Sequence, residues 1–268
     1  MLIDVHAHFF TERSGRGDWR DVNARRLAAG ERMGITAHVA SILGSWGHRS
    51  PTYFPSPGDV THANEAMLEL QRAHPGRVFG YCVVNPNYAE HALDEVTCRL
   101  EAGMVGIKLA ASRRANDPLL DPLAEAAMEW GVPVLQHVWQ HRRRDWPGQE
   151  ASDAVELAEL ADRHPGTQFI LAHLGGGGDW SHTLRVVQGR GNIWIDLSGS
   201  GVDTDMVHQA LETVGPAQLV WGTDVTMGTG WGKLRYLESL GLHEDDLNLI
   251  RGGNARAIFP AGVFDGGD

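Results

Sequence analysis

The chain has 268 residues, with 23 Lys and Arg against 34 Asp and Glu, so its formal net charge is −11. That sign disfavours a general binder of nucleic acid or anionic membrane, and no run of about 18 apolar residues is present to span a bilayer. Only Cys82 and Cys98 occur, which excludes a disulfide framework and a CxxC metal site. The start, Met-Leu-Ile-Asp-Val-His, has neither the basic nor the apolar region of a signal peptide, and two thiols suit a reducing cytoplasm.

In chain order, short β-rich apolar runs are expected at residues 2–6, 37–42, 78–84, 105–109, 132–137, 168–172, 192–197 and 218–221. Amphipathic helical patterns lie between them, at 22–33, 63–74, 90–101, 119–130, 154–164, 183–189 and 206–214, and a helical tail covers 244–259. Eight strands separated by helices imply parallel strands joined by crossovers. The runs are apolar on both parities, as strands covered on both faces should be. The expected fold is α/β, a (β/α)8 TIM barrel of one domain over residues 1–268. An open doubly wound sheet would want a Gly-rich phosphate loop after its first strand, and His-Ala-His-Phe-Phe stands there instead. The long irregular segments, 9–20, 44–59, 139–150 and 225–232, all follow strands, so in a barrel they gather at the C-terminal face where active sites are built.

His6 and His8 are two apart at the end of the first strand, so both rings are expected to point into the barrel mouth, with Asp4 below them and Ile3, Val5 and Ala7 on the helix side. Two neutral imidazoles on a rigid strand are pre-placed for one Zn²⁺, although hydrogen-bonded structural histidines fit the same pattern. His137, His173 and Asp224 each close an apolar run, as the last residue of Val-Pro-Val-Leu-Gln-His, Phe-Ile-Leu-Ala-His and Leu-Val-Trp-Gly-Thr-Asp. Any one alone reads as a strand end; on four strands of one barrel they converge on one mouth.

These residues resemble the amidohydrolase superfamily, within it the amidohydrolase-related group. The matching pieces are Ile-Asp-Val-His-Ala-His, Gly-Ile-Lys-Leu at 106–109, Pro-Val-Leu-Gln-His at 133–137, Leu-Ala-His-Leu-Gly-Gly-Gly at 171–177, Trp-Gly-Thr-Asp at 221–224 and Gly-Gly-Asn-Ala-Arg-Ala-Ile-Phe at 252–259. The resemblance implies one divalent metal ion, commonly Zn²⁺, with Mn²⁺ or Fe²⁺ also compatible with an N/O donor set. It assigns His6, His8 and His137 as metal ligands, Asp224 as a further ligand and proton acceptor from an activated water, and His173 as a proton-transfer group or a ligand to a second metal. Asp4 either orients a ligand histidine or is a buried strand-start Asp paired with backbone. Lys108 points inward by parity, for a polar network or a substrate anion. In this group the strand-four lysine is usually not a carboxylated bridge, which favours one metal.

Substrate contacts are expected from the loops: Trp46 and His48, with Tyr53 and Phe54, after the second strand, and Trp139 and Arg142 after the fifth. An Arg there suits a bidentate grip on a carboxylate, as well as an ordinary solvated surface. The expected activity is a metal-dependent hydrolase acting on a small polar carbonyl compound such as a lactone or amide. A non-oxidative decarboxylase of the same family needs the same ligands, but the chain is short beside the better-known decarboxylases. A DNase-like barrel would carry Glu where Lys108 stands, and a scaffold protein would close its metal shell. The partner expected is a small molecule, with no nucleic acid and no membrane; a homodimer is the commonest assembly for a soluble enzyme.

Overall fold

The structure, a computed structural model, describes residues 1–44, 49–138, 148–150, 152–174, 179–199, 204–225 and 227–266. Eight parallel strands run in sequential order: β1 Ile3–His8, β2 Ala37–Ser41, β3 Val78–Val84, β4 Gly106–Leu109, β5 Val134–His137, β6 Phe169–Ala172, β7 Ile193–Asp196 and β8 Leu219–Val220. A parallel bridge between Ala7 and Asp224, with Val5 N donating to Trp221 O at 3.1 Å, brings β8 back to β1. The sheet is thus the nearly closed (β/α)8 barrel expected from the strand–helix alternation.

The outer ring is α1 Trp19–Met33, α2 Pro57–Ala73, α3 Ala89–Glu101, α4 Asp121–Trp130, α5 Ala154–Arg163, α6 Trp180–Val187, α7 Thr204–Thr213 and α8 Met227–Ser239, followed by short α9 Glu244–Asn248 and α10 Asn254–Ile258. Local chemistry sets their ends. Ser56 caps α2 ahead of Pro57, Asp153 and Glu156 form a reciprocal capping box on α5, and left-handed Gly34 and Gly131 stop α1 and α4. Among the described residues no helix is long and apolar enough to cross a membrane.

Helix α8 overturns the irregular reading of 225–232. Gly228, Gly230 and Gly232 lower helix propensity, but packing overrides it. A Cβ on Gly230 would lie 3.0 Å from Thr223, so only glycine lets this helix sit against the end of β8, where Trp221 Nε1 donates to Gly230 O at 3.2 Å.

Strand β1 also departs from strict alternation. Its pairing with β2 shifts between Asp4 and Ala7, a β-bulge. Ile3 and Val5 pack in the barrel interior with Val39, Tyr81, Leu135, Ile170 and Val220, whereas Ala7 joins the helix-facing core. Asp4 turns outward, to His38, whose ring lies against Gly30 of α1. The expected phase, with Asp4 inward and Ile3 and Val5 outward, is therefore reversed below the bulge and holds for His6, Ala7 and His8 above it. The bulge frees the Val5 carbonyl from the ladder: Thr223 N goes to His6 O, and Tyr81 Oη donates to Val5 O at 2.8 Å inside the barrel. Replacing Tyr81 by Phe leaves that buried carbonyl without its donor, so we expect a loss of about 2 kcal/mol and a Tm lower by roughly 4–8 °C. An unchanged thermal unfolding midpoint would show that the bulge does not depend on Tyr81.

Candidate metal centre

At the C-terminal end of the barrel, β1 presents His6 and His8 side by side, with their Nε2 atoms 3.2 Å apart. The other ring nitrogens are occupied. His6 Nδ1 faces Asp196 Oδ2 at 2.7 Å, and His8 Nδ1 lies 3.0 Å from Ser41 Oγ and 3.3 Å from Ser41 O. Partners on Nδ1 leave each Nε2 as a lone pair, and the two lone pairs point at one another. From β8, Asp224 Oδ1 completes the group at 3.3 Å from His8 Nε2 and 3.8 Å from His6 Nε2.

Two donors bound at about 2.1 Å to one tetrahedral ion are about 3.4 Å apart, so this spacing is that of neighbouring ligands on one cation. His6, His8 and Asp224 form one of two donor groups among the described residues; His6, His173 and Asp196 form the other. The set fits a divalent ion.

His173 and Asp224 reach the mouth through an unusual backbone. Both are left-handed, at φ 70 and φ 55, a conformation that residues with a Cβ rarely adopt and that concentrates at functional sites. The ring of His173 lies 4.9 Å from that of His6 and 5.1 Å from that of His137. Its Nδ1 is 3.7 Å from Asp224 Oδ2 and 3.3 Å from Ser198 Oγ. Room for it is made by left-handed Gly199, where a Cβ would fall 2.6 Å from His173 Nδ1. Asp224 thus turns one oxygen to the β1 histidines and the other to His173. His137 ends β5 in the same mouth, between His173 and the ring of Tyr53 at 5.5 Å, and lies outside both donor groups.

Burial sets the protonation. It holds His6 and His137 well below the usual imidazole range, aided by the charge of Lys108 on His6 and by the adjacent His173 on His137. Burial also lowers His8 and His173, against the pull of Asp224. All four rings are therefore suited to be neutral donors. Burial pushes Asp224 up, but the neighbouring His173, His8 and His6 hold its carboxyl well below the usual range. Lys108 is buried, with Nζ 3.2 Å from His6 Nε2, and burial brings its ammonium down to about 8.

Two residues of the site were not singled out from the sequence. Asp196 closes Ile-Trp-Ile-Asp on β7, the same signal of a polar residue ending an apolar run that marked His137, His173 and Asp224. It takes the orienting role on His6 that was open for Asp4, and Ser198 Oγ donates to it. Burial pushes its carboxyl up to about 6. Asp4 is the other alternative, a buried strand-start carboxylate: it accepts from Thr223 N at 2.9 Å and Thr223 Oγ1 at 2.7 Å and pairs with His38 at 2.8 Å. Trp46, His48, Trp139 and Arg142 lie outside the described residues. Opposite the polar cluster, Leu43, Val83 and Ala110 continue the inward parity of Ser41, Tyr81 and Lys108 and form a small apolar cluster of their own on the β2–β4 side.

The amidohydrolase family profile matches residues 3–261. The chain belongs to the amidohydrolase family. It is an enzyme of that family, and comparison with curated proteins finds no match. Solved structures share the fold of this amidohydrolase at low identity. A 2,6-dihydroxybenzoate decarboxylase from Rhizobium is 18% identical with a TM-score of 0.73, covering 96% of this chain and 98% of that one. A dihydroxybenzoic acid decarboxylase from Polaromonas sp. JS666, with bound manganese and the inhibitor 2-nitroresorcinol, is 18% identical with a TM-score of 0.71 and 96% of each chain covered. A 4-oxalomesaconate hydratase from Rhodopseudomonas palustris is 17% identical with a TM-score of 0.70, covering 97% of this chain and 96% of that one. With 98% of the Rhizobium chain covered, length no longer separates this amidohydrolase from decarboxylases.

Proposed function

We propose that this amidohydrolase is a metal-dependent hydrolase that adds water to a small carbonyl substrate such as a lactone or amide. The observation that carries the reading is Asp224, ionised, 19% exposed at its side chain, and shared between the His6–His8 pair and His173. We assign His6, His8 and Asp224 to one divalent ion, with His137 joining from β5. Zn²⁺, Mn²⁺ and Fe²⁺ all accept such donors, and the Polaromonas relative contains manganese. Bound there, the ion would supply Lewis acidity to an oxygen of substrate or water.

The chain's own groups then divide the proton work. Asp224, ionised at neutral pH, is the acceptor for a proton from water arriving at the open edge of the mouth. His173, kept neutral by burial and 3.7 Å from Asp224 Oδ2, carries a proton between that carboxylate and the departing group. Lys108 is the cation that meets substrate oxygen. Tyr53 and the Leu43–Val83–Ala110 cluster receive the apolar part of the substrate, excluding water from that side.

The apolar cluster also favours a second reading, a carboxy-lyase acting on an unsaturated or aromatic acid, the reaction named for the Rhizobium and Polaromonas relatives. Oxygen-18 water separates the two. Hydrolysis puts one solvent oxygen into the product, whereas decarboxylation releases CO₂ and puts a solvent proton on carbon. Metal-loaded enzyme should incorporate the label from a panel of lactones and amides. Release of CO₂ from hydroxybenzoates, with no label in any organic product, would replace the hydrolase by the lyase.

A further inference from the structure

Arg26, midway along α1, is 5% exposed, while its neighbour Arg25 faces solvent and Asp18. A buried guanidinium is costly unless its donors are used; here Nε has no partner among the described residues, and the two Nη groups are spent on three consecutive residues just beyond β8. Nη1 donates to Val225 O at 2.9 Å; Nη2 donates to Thr223 Oγ1 at 2.7 Å and to Asp224 O. On the other side of the same turn, Asp4 accepts from Thr223 N and Oγ1, and His6 O accepts from Asp224 N at 2.6 Å. Asp224, left-handed at φ 55, lies between these two sets of bonds. A strand end otherwise runs on in extended conformation, which would turn the Asp224 carbonyl and side chain elsewhere.

We propose that Arg26 is a positioning residue: it locks the left-handed turn at Asp224 and thereby holds the carboxylate 3.3 Å from His8 Nε2 and 3.7 Å from His173 Nδ1. Its effect on turnover rests on the role proposed above for Asp224; its effect on the backbone does not. The side chain also borders a cavity of about 230 Å³ lined by Phe10, Arg16, Val22, Ala29, Val225 and Met227. Truncating Arg26 would extend this cavity to the Asp224 carbonyl, leaving a slot into which a free guanidinium ion fits.

The test is the Arg26→Ala protein, with Arg26→Lys as the conservative partner if truncation prevents folding. Crystal structures without guanidinium should show Asp224 out of the left-handed region and its carboxylate withdrawn from His8. Misplacement of this kind should lower kcat by about 100-fold with little change in KM. Millimolar guanidinium, but not ammonium, should restore both turn and turnover in Arg26→Ala, and Arg26→Lys should fall between. Asp224 still at its native φ and still against His8 in Arg26→Ala, or in an Arg26→Lys protein whose ammonium makes no bond to the Asp224 or Val225 carbonyl, overturns the proposal, whatever the activity. A moved turn with unchanged kcat instead retains Arg26 as the positioning residue and removes Asp224 from the chemistry.

Discussion

Asp224→Asn should fold, keep most of its metal and lose kcat by about 10²- to 10⁴-fold, the usual worth of a general base. The substitution is nearly isosteric, and an amide oxygen can still face the β1 histidines. What it removes is the proton acceptor, and with it the charge that His173, His6 and His8 stabilise. Asparagine also tolerates the left-handed backbone that residue 224 adopts, so the turn held by Arg26 and His6 survives. Steady-state kinetics at saturating metal, with metal content measured on the same sample, provide the check. Near-native kcat in the Asn protein would take the base role away from Asp224.

For His173 the expected result joins rate to stoichiometry. Native protein should bind about one divalent ion per chain, and His173→Ala should keep it while losing kcat by about 10²-fold or more. The second donor group, His6 with His173 and Asp196, looks like room for another ion. Asp196 reaches His6 through Nδ1, however, while His8 faces His6 Nε2, so two ions would require both nitrogens of His6 to be stripped of protons. His173→Asn, which retains a hydrogen-bonding side chain without proton transfer, should give an intermediate rate. Two ions in native protein with one lost in His173→Ala would show a binuclear site in which His173 is a ligand.

The residues of the sequence itself determined the barrel and the mouth on which function would converge. Eight apolar runs alternating with helical periods leave few other ways to cover parallel strands. His6, His8, His137, His173 and Asp224 were legible because each interrupts an apolar run at its end, where a polar group is otherwise out of place. Asp196 carried the same mark and went unused. Tertiary structure alone decided the rest. Strict alternation placed Asp4 below the candidate ligands His6 and His8, but the bulge after Asp4 reversed the strand's phase, and it is Asp196 that faces His6 Nδ1. A bulge comes from how β1 meets β2, β8 and Tyr81, residues far apart in the chain, so no local period records it. The same holds for α8, whose glycines read as a loop until they are packed against β8, and for Arg26, one of two adjacent arginines that only the barrel's closure distinguishes. Periodicity records which face a residue prefers; left-handed turns, bulges and buried charges depend on neighbours that only closure of the barrel supplies.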